Sequence, residues 1–164
     1  MPFPSGLYGL TKLQGEQAIE AVWKKHFIIR TSWVYSQFGN NFLKTMLRLA
    51  SERTSLSVVS DQIGTPTYAV DLAEVLLKIV TSKTKTFGIY NFSNEGQCSW
   101  YDFAHEIFLQ KDITIDLQAI STKLYPTPAK RPAYSVLDKS KIKATFGVNI
   151  NDWKTSLNNC LKHY

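Results

Sequence analysis

Phe27-Ile28-Ile29-Arg30-Thr31-Ser32-Trp33-Val34-Tyr35 is rich in β-branched and aromatic side chains and lies between two segments that repeat at helical spacing. Before it, residues 11–25 place Leu13, Gln17, Glu20 and Lys24 three or four apart. After it, Gln37-Phe38-Gly39 makes a loop, and Asn41 can cap a helix with the apolar stripe Phe42, Leu43, Met46, Leu47 and Ala50. The run therefore reads as one buried strand, 27–35, set between helices. Outward from it the alternation continues. A short strand is expected at 56–59, then a loop holding Gly64 and Pro66 and a helical stripe of Leu72, Val75, Leu76, Ile79 and Val80. Another strand follows at 88–92. Ser99 with Asp102 is a capping signal ahead of Trp100, Phe103, Ala104, Ile107 and Phe108. Ile113, Ile115, Leu117 and Ala119 alternate as a half-buried strand does. Tyr125-Pro126-Thr127-Pro128-Ala129-Lys130-Arg131-Pro132 is a loop by composition, and a last helix starts near Asn151 or Asp152 and buries Trp153, Leu157, Cys160 and Leu161. Strands separated by helices predict an α/β fold with a parallel sheet.

Composition removes several classes of function. At 164 residues, 44% hydrophobic and 20% charged, the chain is neither disordered nor fibrous. No apolar run approaches the roughly 20 residues that cross a bilayer, and the start, Met1-Pro2-Phe3-Pro4-Ser5-Gly6, is unlike a signal peptide, so no membrane partner is expected. Two cysteines, Cys98 and Cys160, make no disulfide framework or four-ligand zinc site, which favours a reducing cytoplasm. His26, His105 and His163 are scattered, and no metal is expected. Residues 1–122 sum to zero charge, so the formal +6 sits in 123–164, where eight Lys/Arg face Asp138 and Asp152. Such a segment attracts anions or is simply a solvated basic face. It has no dense basic run or reading motif for nucleic acid.

Tyr8 and Lys12 stand four apart at the opening of the first helix, which puts both on one face. An ammonium beside a phenol favours the phenolate, which suits the tyrosine to exchange a proton with a carbonyl or alcohol oxygen. With eight tyrosines in a lysine-rich chain, the spacing alone also describes an ordinary surface pair.

Context adds to the pair. Tyr8-Gly9-Leu10-Thr11-Lys12-Leu13-Gln14-Gly15-Glu16 resembles the active-site helix of extended short-chain dehydrogenases/reductases, and Arg30-Thr31-Ser32-Trp33-Val34-Tyr35 resembles the strand end after it. Asn40-Asn41-Phe42-Leu43-Lys44-Thr45-Met46, Asp61-Gln62-Ile63-Gly64-Thr65-Pro66-Thr67-Tyr68 and Arg131-Pro132-Ala133-Tyr134-Ser135-Val136-Leu137-Asp138 follow in order. Together, over essentially the whole chain, they resemble the dTDP-4-dehydrorhamnose reductase family, which makes dTDP-L-rhamnose with NADPH or NADH.

The resemblance implies roles position by position. Tyr8 would be the general acid for the C4 ketone, with Lys12 its electrostatic partner and a ligand of the nicotinamide ribose. Thr31 and Ser32 would pass close to the nicotinamide, mainly through their backbone. Trp33 would lie against the deoxyhexose, or be only a core aromatic. Asn41 would sit near the diphosphate as well as capping its helix. Arg131 would be a diphosphate ligand, or a solvent-facing loop arginine.

The implied fold is the C-terminal part of an NAD(P)-binding Rossmann-type reductase: the end of a parallel sheet plus a small α/β substrate-binding domain. Residues 1–40 would be the remnant of the Rossmann domain. Residues 41–164 would be mainly the substrate region, with segments near 66–93 packing back on the Rossmann sheet.

The departure is at the front. The glycine-rich turn that holds a dinucleotide's pyrophosphate is not in this sequence, and Ser5 is too close to Tyr8 to be the family's third catalytic residue. The implied partners are a dTDP-sugar and the missing N-terminal half of the same fold, with self-association of the sticky exposed face. The chain alone is expected to be inactive and its cofactor binding doubtful. A reductase-like binding or regulatory subunit, and a related nucleotide-sugar epimerase or ketoreductase, are the alternative functions.

Overall fold

The computed structural model describes Pro4 and residues 6–127 and 131–164. Ser5, and residues 128–130 of the expected proline-punctuated loop, lie outside the described residues. Helix α1 (Leu7–Val22) starts at Gly6, earlier than the apolar spacing predicts, with Leu10 N–H donating to the Gly6 carbonyl at 3.0 Å. Tyr8 and Lys12 therefore lie one turn apart inside it. It ends early too. Trp23 turns extended at φ −142°, its indole N–H donates to the Lys25 carbonyl at 2.8 Å, and the chain swings into β1.

The expected strand 27–35 is two strands. β1 (Phe27–Arg30) pairs in parallel with β6 (Gly88–Asn91), while β2 (Val34–Tyr35) pairs in parallel with β5 (Thr67–Tyr68). Between them Trp33 adopts φ +47°, a left-handed conformation that breaks the pleat and passes the chain from one partner to the other. β3 (Ser55–Val59) pairs in parallel with β8 (Asp116–Ile120), and β4 (Ile63–Gly64) runs antiparallel to β7 (Cys98–Ser99). The architecture is α/β with three parallel ladders, as the alternation of elements predicts.

Helices close the layers. α2 (Phe42–Glu52) is capped by Asn41, whose Oδ1 accepts from Lys44 N–H. α4 (Trp100–Gln110) opens on a complete Ser99/Asp102 capping box, and α6 (Trp153–Leu161) on Asp152. These three pack with β3 and β8 around Leu43, Phe103, Ile107, Leu157 and Cys160, all fully buried. Each such aliphatic or aromatic side chain contributes about 1.5–3 kcal/mol by leaving water. A second cluster lies under α3 (Ala69–Thr81) and α5 (Ser140–Phe146), where Val75, Ile79, Tyr90, Phe92, Ile142 and Phe146 meet Phe27 and Ile29 of β1. The stripe expected on α3 is only half inward: Leu76 and Val80 are 40% and 71% exposed, because the face that meets β6 and α5 is narrower than the apolar run. The alternation read at 113–119 also shifts. The strand is 116–120, and Ala119 is exposed while Ile120 is half-buried. No helix among the described residues is long and apolar enough to cross a membrane.

Candidate active site

The reactive pair stands at the exposed start of α1, in line with Glu16 four residues further on. Tyr8 is 75% exposed, and the Lys12 ammonium lies 5.5 Å from the centre of its ring. None of α1's side chains is buried, and Leu7, Leu10, Ile19 and Val22, with Trp23 just after them, are all exposed. What ties the helix to the strands is a two-bond fork: the Arg30 guanidinium donates to both Glu16 carboxylate oxygens, at 2.8 and 2.5 Å. The hydrogen bond to Glu16 holds Arg30 still more firmly protonated, against a smaller opposing effect of burial. Because Arg30 ends β1, this fork sets α1 beside the Thr31-Ser32-Trp33 turn.

That turn is tightly stitched. Ser32 Oγ donates to the Thr65 carbonyl at 2.9 Å, and Thr67 N–H donates to the Trp33 carbonyl at 3.1 Å. Thr65 Oγ1 in turn donates to the Gly96 carbonyl at 2.8 Å. Asn94, wholly buried, accepts from Tyr68 N–H and donates to Asp71, Ser156 and the Asn151 carbonyl. A left-handed tryptophan costs about 1–2 kcal/mol, and this scaffold has to hold it.

The indole of Trp33 stacks on that of Trp100, centroids 3.6 Å apart and planes within 12°. Phe42 tilts against Trp100 at 4.7 Å. Gly64 lies directly under the Trp33 ring: a Cβ there would stand 2.5 Å from Cε2. Ile63 exchanges backbone hydrogen bonds with Ala133 and Ser135, which brings the segment after Arg131 to the same place. The Arg131 guanidinium accordingly lies 6.0 Å from the Trp100 ring. Trp33 and Arg131, far apart in sequence, thus share one aromatic surface with Trp100. Nothing in the sequence singles out Trp100 or Gly64 for the site. Trp100 is legible there only as the first residue after a helix cap, and Gly64 only as part of a motif.

Asn41 spends its amide hydrogens on the Ser36 and Phe38 carbonyls and its oxygen on Lys44 N–H, so its side chain is fully engaged as a cap. Thr31 is exposed. Asp61 serves the fold, because its carboxylate accepts from the Thr122 hydroxyl and N–H, which holds it below the usual carboxylate range.

The basic last quarter is not a positive surface throughout. Lys139, only 8% exposed, and Lys143 both pair with Glu95, and Lys154 pairs with Glu106 at 2.9 Å. Lys141 lies over the Tyr90 ring and donates to the Ile89 carbonyl. Charge that is segregated along the sequence is thus partly interleaved in space.

A cavity of about 260 Å³ lies between α4 and α6, lined by Gln97, Cys98, Asp102, His105, Glu106, Trp153 and Lys154. Its carboxylates are committed to Ser99, Gln110 and Lys154, and burial pushes the Cys98 thiol upward. No group of three or more His, Cys, Asp or Glu among the described residues could hold a metal ion.

Comparison with known proteins gives a consistent likeness. The family model for the RmlD substrate binding domain matches residues 1–164. The dTDP-4-dehydrorhamnose reductase of Aggregatibacter actinomycetemcomitans is 46% identical, over 95% of this chain and 56% of its own length. The crystal structure of a Clostridium acetobutylicum dTDP-4-dehydrorhamnose reductase superposes with a TM-score of 0.94 at 43% identity, covering 99% of this chain and 57% of that one. A Bacillus anthracis dTDP-4-dehydrorhamnose reductase in complex with NADP gives 0.93 at 38% identity, covering 99% and 56%. The chain spans a little over half the length of each of these three relatives.

Proposed function

Given that the chain belongs to the RmlD substrate binding domain family, we propose that it is the sugar-nucleotide part of a reductase that converts the C4 ketone of dTDP-4-dehydro-L-rhamnose to the alcohol of dTDP-L-rhamnose. The observation that carries this reading is the Tyr8–Lys12 pair, with the ammonium 5.5 Å over the ring and the phenol open to a ligand. Tyr8 Oη gives its proton to the ketone oxygen as that oxygen gains charge, and the Lys12 ammonium stabilises the phenolate left behind until water reprotonates it. Bound NADPH or NADH supplies the hydride to C4.

Tyr8 and Lys12 fit the ribose end of that cofactor. Ser32 has its hydroxyl committed to Thr65, so it and Thr31 offer the nicotinamide their backbone. No glycine-rich strand, turn and helix lies among the described residues, and the pyrophosphate is given to none of them. Trp33 meets the hexose, while Arg131 and the α2 N-terminus capped by Asn41 meet the diphosphate.

In this reading residues 1–40 extend the dinucleotide-binding sheet and 41–164 hold the sugar nucleotide. The stretch near 66–93 returns to that sheet, in keeping with the β1–β6 ladder. The exposed apolar side chains Leu7, Leu10, Ile19 and Val22 of α1 are where the rest of such an enzyme packs, and where the chain alone self-associates.

The chain is tested alone and joined to the part of the A. actinomycetemcomitans relative that it does not cover. With dTDP-4-dehydro-L-rhamnose, the joined protein should consume NADPH, and Tyr8→Phe should slow it by about 10²–10⁴-fold. The chain alone should consume none. Equal turnover by the Tyr8→Phe protein overturns the role of Tyr8, and turnover by the unjoined chain overturns the need for a pyrophosphate cradle.

A further inference from the structure

We propose that Trp100 is a positioning residue for the hexose of the nucleotide sugar, acting through Trp33. The inference rests on the reading just given, in which Trp33 meets the sugar. Trp33 is held from two sides. Its backbone is left-handed and tied through its carbonyl to Thr67 N–H. Its ring lies flat on Trp100 at 3.6 Å, over a glycine that leaves no space for a methyl group. Trp100 covers one indole face and Gly64 closes on Cε2 and Cζ2, so the sugar meets the part of the ring these two leave open, and the tilt of the ring is set by Trp100.

Trp100 is itself a rigid support. It is the first residue of α4, directly behind a capping box in which Ser99 Oγ accepts from Asp102 N–H and the Asp102 carboxylate accepts from Ser99 N–H. Phe42 braces its ring at 4.7 Å. The apolar C–H face of a hexose is recognised by such a platform only when the platform's plane is fixed beforehand, because small displacements of a bound sugar cost rate out of proportion to their size. Arg131 and the α2 N-terminus, which meet the diphosphate in this reading, also touch Trp100, Arg131 at 6.0 Å and Phe42 at 4.7 Å. The share of Trp100 in holding the hexose is therefore the loss for dTDP-L-rhamnose in excess of the loss for dTDP.

Calorimetry of dTDP-L-rhamnose and of dTDP binding to the chain, unsubstituted and as Trp100→Leu and Trp100→Phe, tests this. Far-ultraviolet circular dichroism accompanies it, since two stacked indoles give an exciton-split band. Trp100→Leu should remove that band and weaken dTDP-L-rhamnose about tenfold more than it weakens dTDP. Trp100→Phe, which keeps a ring in place, should recover most of the loss for the sugar nucleotide. Unchanged dTDP-L-rhamnose affinity in Trp100→Leu overturns the proposal, as does an equal loss for dTDP and dTDP-L-rhamnose, the signature of a merely structural role. An unsubstituted chain that binds neither ligand overturns the underlying functional reading and this proposal with it.

Discussion

Gly64→Ala adds one methyl group to β4 at the point where the Trp33 indole rests. Gly64 does not occupy the left-handed region, so alanine costs nothing through the backbone there, and the effect comes from space alone. The new Cβ would stand 2.5 Å from Trp33 Cε2, 2.6 Å from Cζ2 and 2.8 Å from Ser135 Oγ. Carbon atoms settle at about 3.5–4.0 Å, so the ring has to retreat by roughly 1 Å. Overpacking of this kind costs about 1–3 kcal/mol, and loss of the stack on Trp100 about 0.5–1.5 kcal/mol more. If Trp33 then leaves its left-handed conformation, about 1–2 kcal/mol returns. The net destabilisation expected is about 1–2 kcal/mol, or a fall in Tm of roughly 2–8 °C for a chain of this size. Thermal melts followed by circular dichroism report both quantities, because the exciton band of the indole pair should vanish together with the fall in Tm. An unchanged Tm with the band intact would refute the reasoning outright. A lowered Tm with the band intact would show that Ser135 yields and Trp33 does not.

Two further outcomes follow from the same contacts. Ser99→Ala removes both hydroxyl bonds to Asp102 at a site only 2% exposed and should cost about 1–2 kcal/mol in urea unfolding; a loss below a few tenths would mean that the box does not hold α4. Acid should destabilise the fold through Glu95 and Glu106. Burial pushes both carboxyls up, but Lys143 and Lys139 on Glu95, and Gln110 and Lys154 on Glu106, bring them below the ordinary 4.5. Since the folded values are the lower ones, this stabilisation is present above pH 4.5 and drains away as pH falls through them. Glu95→Gln should flatten that acid limb, and a limb as steep as before would count against the pairing.

Where local chemistry decides a structure, the sequence is enough. Asn41, Ser99 with Asp102, and Asp152 are helix caps because their side chains reach the first free N–H groups, whatever the rest of the molecule does. The inward faces of α4 and α6 follow from spacing in the same way. The break inside 27–35 is not legible, because nothing local in Thr31-Ser32-Trp33 marks a change of partner. It is imposed by β5 and β6, distant in sequence. α5, seven residues without a side-chain cap, is invisible for the same reason. In the site, Tyr8 and Lys12 are readable from one helical turn. Trp100 is not, since its meaning comes from a contact with Trp33 that only the tertiary fold creates. The pairing of Lys143 and Lys154 is not legible in the basic tail, because Glu95 and Glu106 lie in the part of the sequence that sums to zero.

The parallel ladders also set the order of events on the ribosome. Phe27 cannot find its neighbour until Gly88 has been made, and Ser55 waits for Asp116. At roughly 5–20 residues per second, each of these strands spends several seconds in the emerging chain with its edge open. Of the ladders described, only the two-residue pairing of Val34-Tyr35 with Thr67-Tyr68 can form before Gly88 appears. Slowing translation should therefore raise the insoluble fraction by lengthening that wait.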